Sequence, residues 1–326
     1  MLIDLHTHIC ALGRGGVTSD RLLYGARFCF MRWRLKIRRS LDTWQAQLEH
    51  RYGQLLDTSG LDAAVVLALD AVYDQDGNRD DANTHLFVEN DYIVGLAKDN
   101  PRILFGASVH PYRRDAVKEL ERCIAAGAVL MKWLPLAQRF DPADQRCIAL
   151  YEVLAHHKMP LLSHTGGEQM LVELDPSVRD PAKLEVALKC GVTVIAAHCG
   201  TRSTFREPDY LPTFCRMARE HERFYGDTAA LLLPTRKYAF PKLLEDDAVR
   251  IKLVHGSDWP IIPIPPITLL GVRRTLRAWH ERNWMKRDVE LKRALGFDDA
   301  YLHRAQTLLR LPGNGAPANY TPRGQQ

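Results

Sequence analysis

A chain of 326 residues with 46% hydrophobic and 25% charged residues has the make-up of a globular protein, long enough for two ordinary domains or one large barrel. No stretch approaches the roughly 20 uninterrupted apolar residues of a bilayer span, and a net charge of +5 is too slight at this length to point to nucleic acid. The seven cysteines (Cys10, Cys29, Cys123, Cys147, Cys190, Cys199 and Cys215) are odd in number and lack CxxC spacing, which fits reduced thiols. The opening Met-Leu-Ile-Asp-Leu-His has no basic start, apolar run or cleavage site of a signal peptide, so a cytoplasmic protein is expected.

The first apolar run, Leu2–His8, reads as a strand. The link after it, from Ile9 to Leu61, opens on Gly13, Gly15 and Gly16 and must hold one or two helices, because structureless loops of that length are uncommon. Within it, Phe28 to Arg39 mixes large apolar residues with cations, and Arg27, Arg32, Arg34, Lys36, Arg38 and Arg39 carry much of the chain's positive excess. A helix packed on its own barrel is expected there, with a cap over the barrel mouth, subunit pairing or contact with an anionic surface as the other uses of such a stretch. Seven further strand-like runs succeed it: Ala63–Asp70, Ile103–Val109, Ala128–Leu134, Pro160–Thr165, Val192–His198, Arg223–Thr228 and Ile251–Asp258. Amphipathic segments separate them. Asp115–Ala126 carries the stripe Ala116, Val117, Leu120, Cys123 and Ile124 and stops at Gly127, and another helix starts at the cap Asp180 before Pro181 and ends at Gly191. Eight βα repeats predict an α/β fold, a (β/α)8 TIM barrel with a helical insertion at about 10–60 after the first strand. The barrel occupies 1–312 as one domain, and the Gly- and Pro-rich stretch 313–326 reads as a flexible tail.

Ionisable residues gather where the strands stop. His6 and His8 are two apart on the first strand and so share a face. His164 ends the fifth run in Leu-Leu-Ser-His-Thr-Gly, His198 ends the sixth in Ile-Ala-Ala-His-Cys-Gly, and Asp258 ends the eighth in Gly-Ser-Asp-Trp-Pro. Two histidines on a strand often do no more than pack. In a closed barrel, however, these termini ring one opening, and buried ionisable groups crowded there are costly unless a cation binds them. Neutral imidazole with carboxylate suits zinc or another first-row ion.

The pieces Asp4-Leu-His-Thr-His8, Met131-Lys-Trp-Leu-Pro135, Leu162-Ser-His-Thr-Gly166, Ala197-His-Cys-Gly200 and Gly256-Ser-Asp-Trp-Pro260 succeed one another over about 255 residues. In these the chain resembles the amidohydrolase superfamily, in its amidohydrolase-2 branch of metal-dependent hydrolases and decarboxylases. The resemblance implies that His6, His8, His164 and Asp258 hold one divalent ion, zinc first and manganese or another first-row metal next, with Asp258 also taking the proton of the attacking water. His198 then polarises the substrate oxygen or, in two-metal members, binds a second ion. Lys132 stands where some members carry a carboxylated lysine that bridges two metals. An unmodified ammonium cannot do that and instead suits a substrate carboxylate or oxyanion, so one metal is expected, with a second only if Lys132 is carboxylated. Trp133, Trp259 and the run Ile261 to Pro266 are expected to wall the pocket, while Asp70 and His110 can be structural or functional.

A small, anionic substrate cleaved at a C–O or C–N bond by activated water is the expected chemistry, and non-oxidative decarboxylation of an aromatic or unsaturated acid is the alternative. A TatD-like nuclease is disfavoured because Lys132 stands where that resemblance requires glutamate. A silent binding barrel is disfavoured by the intact ligand set. No nucleic-acid partner or membrane span is expected, and a homo-oligomer is left open.

Overall fold

The computed structural model describes residues 1–11, 15–37 and 41–311. Gly13, Arg38, Arg39 and the expected tail at 313–326 lie outside the described residues. Eight parallel strands pair in chain order: β1 (Ile3–His8), β2 (Ala63–Leu67), β3 (Ile103–Ala107), β4 (Leu130–Trp133), β5 (Leu161–His164), β6 (Val194–Ala197), β7 (Phe224–Asp227) and β8 (Leu253–Val254). The sheet curls shut just past β8. There His8 N donates to Trp259 O at 2.8 Å, Asp258 N to His6 O at 2.8 Å and Leu5 N to His255 O at 3.2 Å. The expected (β/α)8 barrel is therefore present. Its last strand is much shorter than the apolar run Ile251–Asp258, because the chain beyond Val254 leaves the ladder and turns through a left-handed Asp258 (φ 64°).

Side-chain alternation divides the core into two layers. Leu5, Val65, Leu67, Leu104, Leu130, Leu162, Ile195 and Val254 fill the barrel, while Val66, Phe105, Met131, Leu161, Val194 and Leu253 face the helices. Strands buried on both faces read as continuous apolar runs, as parallel strands do. One irregularity matters for the site. Asp4 pairs with Ala64 and Thr7 with Val66, so β1 spends three steps where β2 spends two. Such a bulge reverses the facing of the residues beyond it. Ile3 and Leu5 point into the barrel, yet Thr7 points out, its Oγ1 bonded to Tyr52 Oη at 2.9 Å. His6 and His8 are thereby turned inward.

The helices match their sequence patterns with adjustments. Ala116–Ala125 buries Ala116, Leu120, Cys123 and Ile124, but Val117, expected in the same stripe, is exposed because it falls on the shoulder of that face. The segment after Asp180 is a 3-10 turn, Pro181–Leu184, followed by a short helix, Glu185–Lys189, with the Asp180 carboxylate accepting from Ala182 N as a cap. The insertion holds more than one or two helices. It contains Asp20–Leu23, Ala26–Arg34 and Leu41–Asp57, and its strand Gly16–Thr18 pairs antiparallel with Leu86–Val88. Trp44, Leu48, Tyr52 and Leu55 recur at helical spacing and bury the longest of these helices on the barrel. The basic-aromatic stretch packs on its own chain, with Phe28 and Met31 buried and the Phe28 ring 5.3 Å from that of Trp44. All seven cysteines are free thiols. Among the described residues no helix is long and apolar enough to cross a membrane.

A buried ionic cluster locks the closing seam. Lys292, on the helix Trp284–Leu295, is fully buried; it donates to Gly256 O at 2.7 Å and pairs with Asp288, whose carboxyl burial pushes up to about 7. Asp4 accepts from Ser257 N at 2.9 Å and from His6 N at 3.2 Å, fixing both sides of the seam. Removing one partner of a buried pair leaves the other charge unpaired. Lys292→Met is expected to lower stability to urea by about 3–5 kcal/mol, and adding Asp288→Asn to recover much of it. Equal midpoints for wild type and Lys292→Met would show that the pair does not hold the seam.

Candidate metal centre

The barrel mouth carries a compact donor set. His6 Nε2 lies 3.0 Å from His8 Nε2, and Asp258 Oδ1 lies 3.4 Å from His6 Nε2 and 3.3 Å from His8 Nε2. Among the described residues these three side chains form the one group of potential ligands whose donor atoms all come within 4.8 Å of one another. Donors bound at about 2.0–2.1 Å to one tetrahedral centre lie about 3.3–3.4 Å apart, so the spacing fits a first-row divalent ion. The backbone is built for this approach. A Cβ on Gly256 would sit 2.9 Å from His6 Cβ, so only glycine lets the loop carrying Asp258 close over β1.

Protonation states suit the same role. His6 Nδ1 donates to Asp227 Oδ2 at 2.6 Å, which leaves the Nε2 lone pair directed at His8 and Asp258. Burial, reinforced by the Lys132 charge, holds the His6 pKa well below the usual imidazole range, so the ring is neutral. Burial pushes the Asp258 carboxyl up, but its polar surroundings, among them the hydrogen bond from His8 and the positive charge of Lys132, keep it below the ordinary carboxylate value. A neutral imidazole and an ionised carboxylate are ligands that a divalent ion takes.

Of the other expected residues, Lys132 points inward from β4, fully buried, with Nζ donating to His6 Nε2 at 3.2 Å; burial pushes its ammonium down to about 8. His198 lies beside the trio, its ring centroid 5.2 Å from that of His6. Its Nδ1 is 2.9 Å from Ala229 O, and since a carbonyl only accepts, that nitrogen carries the proton and Nε2 is the acceptor. Burial also holds the His198 pKa well below normal. A neutral ring in this tautomer accepts from water or substrate but cannot polarise a carbonyl by donation, contrary to one of the two roles expected of it. His164 stands next to His198, ring centroids 4.7 Å apart, but outside the trio: its Nε2 faces Gly167 O at 3.3 Å and its Nδ1 faces Glu168 Oε2 at 3.7 Å. With its Nε2 proton turned to a carbonyl, it presents no lone pair to the three.

Trp133 and Trp259, expected to wall the pocket, do not line it. Alternation sends Lys132 inward and its neighbour outward, so Trp133 packs between Phe140 and Tyr151 with Nε1 donating to Val109 O at 2.7 Å. Trp259 likewise turns to Tyr52, ring centroids 5.0 Å apart. Asp70 and His110 do not line the pocket over the trio: Asp70 accepts from His110 N at 2.8 Å and faces Arg113, while His110 bonds Gln138 O at 2.9 Å. The pocket over the trio, about 110 Å³, is walled instead by Phe28 and Met31 of the insertion, Leu134, Met170, Pro260 and Ile261.

Three residues escaped the sequence reading. Asp227 ends β7 and holds two site residues at once, His6 through Oδ2 and His198 N through Oδ1 at 2.8 Å; its place at a strand end, like that of Asp258, was the available signal. Glu168 lines the pocket on a loop, with Oε1 accepting from Gln169 N at 2.9 Å and Leu171 N at 3.2 Å, and burial raises its pKa. Arg236, nine-tenths buried or more, donates to Gly167 O and faces the charges of Glu168 and Asp258.

A parallel barrel with a His-His-Asp group at the carboxyl ends of its strands defines an enzyme of the amidohydrolase type, and the wider comparison agrees. The family model described as Amidohydrolase matches residues 3–293, and the chain belongs to that family. No curated protein matches it by sequence. Similar solved structures include an uncharacterized TIM-barrel protein from Bordetella bronchiseptica (TM-score 0.62, 14% identity, 96% of each chain covered). A probable 2-pyrone-4,6-dicarboxylic acid hydrolase from Acinetobacter baumannii, solved with citric acid bound, aligns with TM-score 0.58 and 14% identity over 95% of this chain and 98% of that one. A 4-oxalomesaconate hydratase from Rhodopseudomonas palustris aligns with TM-score 0.50 and 15% identity over 96% and 94%. At these identities the likeness is one of fold.

Partners that orient a ligating imidazole typically govern metal affinity by about 10–100-fold. Asp227→Asn is therefore expected to weaken zinc binding by about that factor in competition with a chelator. An unchanged affinity would confine Asp227 to a folding role.

Proposed function

We propose that this chain is a metal-dependent hydrolase that cleaves a C–O or C–N bond of a small anionic substrate, with His6, His8 and Asp258 holding one divalent ion. The observation that carries the reading is the spacing of the three donors in a buried pocket that also contains the Lys132 cation. When bound, such an ion lowers the pKa of a coordinated water toward neutrality and polarises a substrate oxygen. The protein's own groups supply the rest. Asp258, kept ionised, accepts the proton of the attacking water and returns it to the departing oxygen or nitrogen, so that water adds across the broken bond. His198 Nε2 accepts a hydrogen bond that orients the water or the substrate. His6 Nε2 has one lone pair; once that is committed to the ion, the Lys132 ammonium is free to donate to a substrate carboxylate or developing oxyanion. The apolar walls exclude bulk water and strengthen each of these interactions. Solved structures of this fold named for a dicarboxylic acid make dicarboxylates and their lactones the first substrates to try.

A second reading, non-oxidative decarboxylation, is favoured by the same apolar lining, which would disfavour a substrate carboxylate left without a partner. Incorporation of oxygen from labelled water into product distinguishes the two, and release of carbon dioxide without it would replace the hydrolytic reading.

The purified protein is expected to hold one equivalent of zinc or manganese, lost in His6→Ala/His8→Ala. Two equivalents that fall on Lys132→Met would make Lys132 a carboxylated bridge and overturn its assignment as a free cation. With a single ion, Lys132→Met should retain metal but lower kcat/KM for an anionic substrate by roughly 10–100-fold, the worth of a charge-assisted hydrogen bond. Asp258→Asn coordinates through its carbonyl oxygen but takes no proton, so turnover should vanish under saturating metal; near-normal kcat would move the base to His198 or Glu168.

A further inference from the structure

Outside the reaction pocket lies a second, much larger concavity of about 840 Å³ between the insertion, the loop after β8 and the last two long helices. Its charge is one-sided. Arg27, Arg34, Lys36, Arg51, Arg282 and Arg287 line it, and no acidic side chain does. Among the described residues none of the six takes part in an ion pair, whereas ten arginines elsewhere on the chain do. Arg287 is 1% exposed, its guanidinium donates to backbone carbonyls (Glu281 O and Pro263 O) and lies over the Trp279 ring at 5.2 Å, with the like charge of Arg34 and the opposite charge of Glu281 both acting on it. Cations massed in a concave site that no acidic side chain lines focus a field that attracts anions.

The same cleft is aromatic. Trp33 is 68% exposed, Phe30 51% and Trp279 44%, and Trp284 forms part of the floor. Large flat apolar groups left open beside guanidinium groups suit a ligand that carries its charge on an aromatic or otherwise flat apolar body. The cleft adjoins the reaction pocket: Met31, Met170 and Ile261 belong to the walls of both. A ligand lying across these three side chains has one end at His6, His8 and Asp258 and the other among the arginines.

We propose that the cleft is an outer binding site for the far end of the substrate, an anionic group on an aromatic body, so that the substrate is an elongated aryl carboxylate or its phosphate or sulfate counterpart, longer than the buried pocket. This deepens the proposed function and rests on it only for which end reacts; anion binding in the cleft stands or falls by itself.

The test uses the full chain and 8-anilinonaphthalene-1-sulfonate, a fluorescent anion on an aromatic body, beside its uncharged counterpart N-phenyl-1-naphthylamine. The sulfonate is expected to bind saturably, to quench tryptophan fluorescence and to lose affinity as salt is raised. Arg34→Glu and Arg282→Glu, both at exposed positions that tolerate change, should each weaken it about tenfold or more, and the uncharged probe should bind at least about tenfold less tightly. His6→Ala/His8→Ala should leave probe binding unchanged, whatever it does to metal content or turnover, which separates failure of this inference from failure of the metal assignment. Equal affinity for the two probes, indifference to both charge reversals, or loss of binding in the histidine variant would overturn the proposal. So would a dimer, seen by light scattering, that Arg34→Glu dissociates, because the cleft would then belong to a second copy.

Discussion

One extra residue in the first strand decides what this barrel can do. Without the bulge between Asp4 and Thr7, alternation would send His6 and His8 to the side of β1 that meets the helices, where Thr7 now bonds Tyr52. With it, Leu5 and His6 both turn inward, the first to seal the barrel and the second to begin the donor set. The same irregularity brings the backbone of β1 into register with the chain after β8, so that Asp258 N reaches His6 O and the carboxylate arrives beside the imidazoles. Closure of the barrel and assembly of the site are thus one geometric event, braced from outside by Asp4 and Lys292.

The carboxylate of Asp227 performs a related function from the opposite wall. It is fully buried, and burial works against its charge, yet it binds a ring nitrogen from β1 and a backbone amide at the end of β6. One of the residues it steadies, His198, lies in a costly conformation, as do its neighbour Cys199 and, across the site, Asp258. All three have positive φ without being glycine, a condition that persists only where surrounding bonds over-determine the backbone. Strain of this kind concentrates at sites where direction matters more than stability, and here it aims an imidazole and a carboxylate at a common point.

The sequence showed where strands end, because apolar runs break off at His, Asp and Gly, and from that the barrel and most of its ring of ionisable residues could be read. Facing was harder. The two-residue spacing of His6 and His8 correctly placed them on one side, but which side depended on a bulge that leaves no mark in the composition of β1. Trp133 shows the same limit in reverse: strict alternation with Lys132 already required it to point outward, and its size made it a tempting pocket wall. Glu168 and Arg236 are set by loops whose course depends on tertiary contacts with Gly167, and nothing local announced them. The rotation of His164 toward Gly167 O is a choice of side-chain torsion that strand position does not specify.

The insertion between β1 and β2 contributes Leu22, Phe28 and Met31 to the roof of the pocket and none of the three clustered donors. Reactivity and selectivity are in this way written on separate stretches of the chain, the former at strand ends that cannot shift without breaking the barrel, the latter on a surface excursion that can. An evolving lineage could exchange the roof, lengthen it or alter its charge while leaving the donor geometry untouched, acquiring new substrates by editing a module rather than by rebuilding a catalyst.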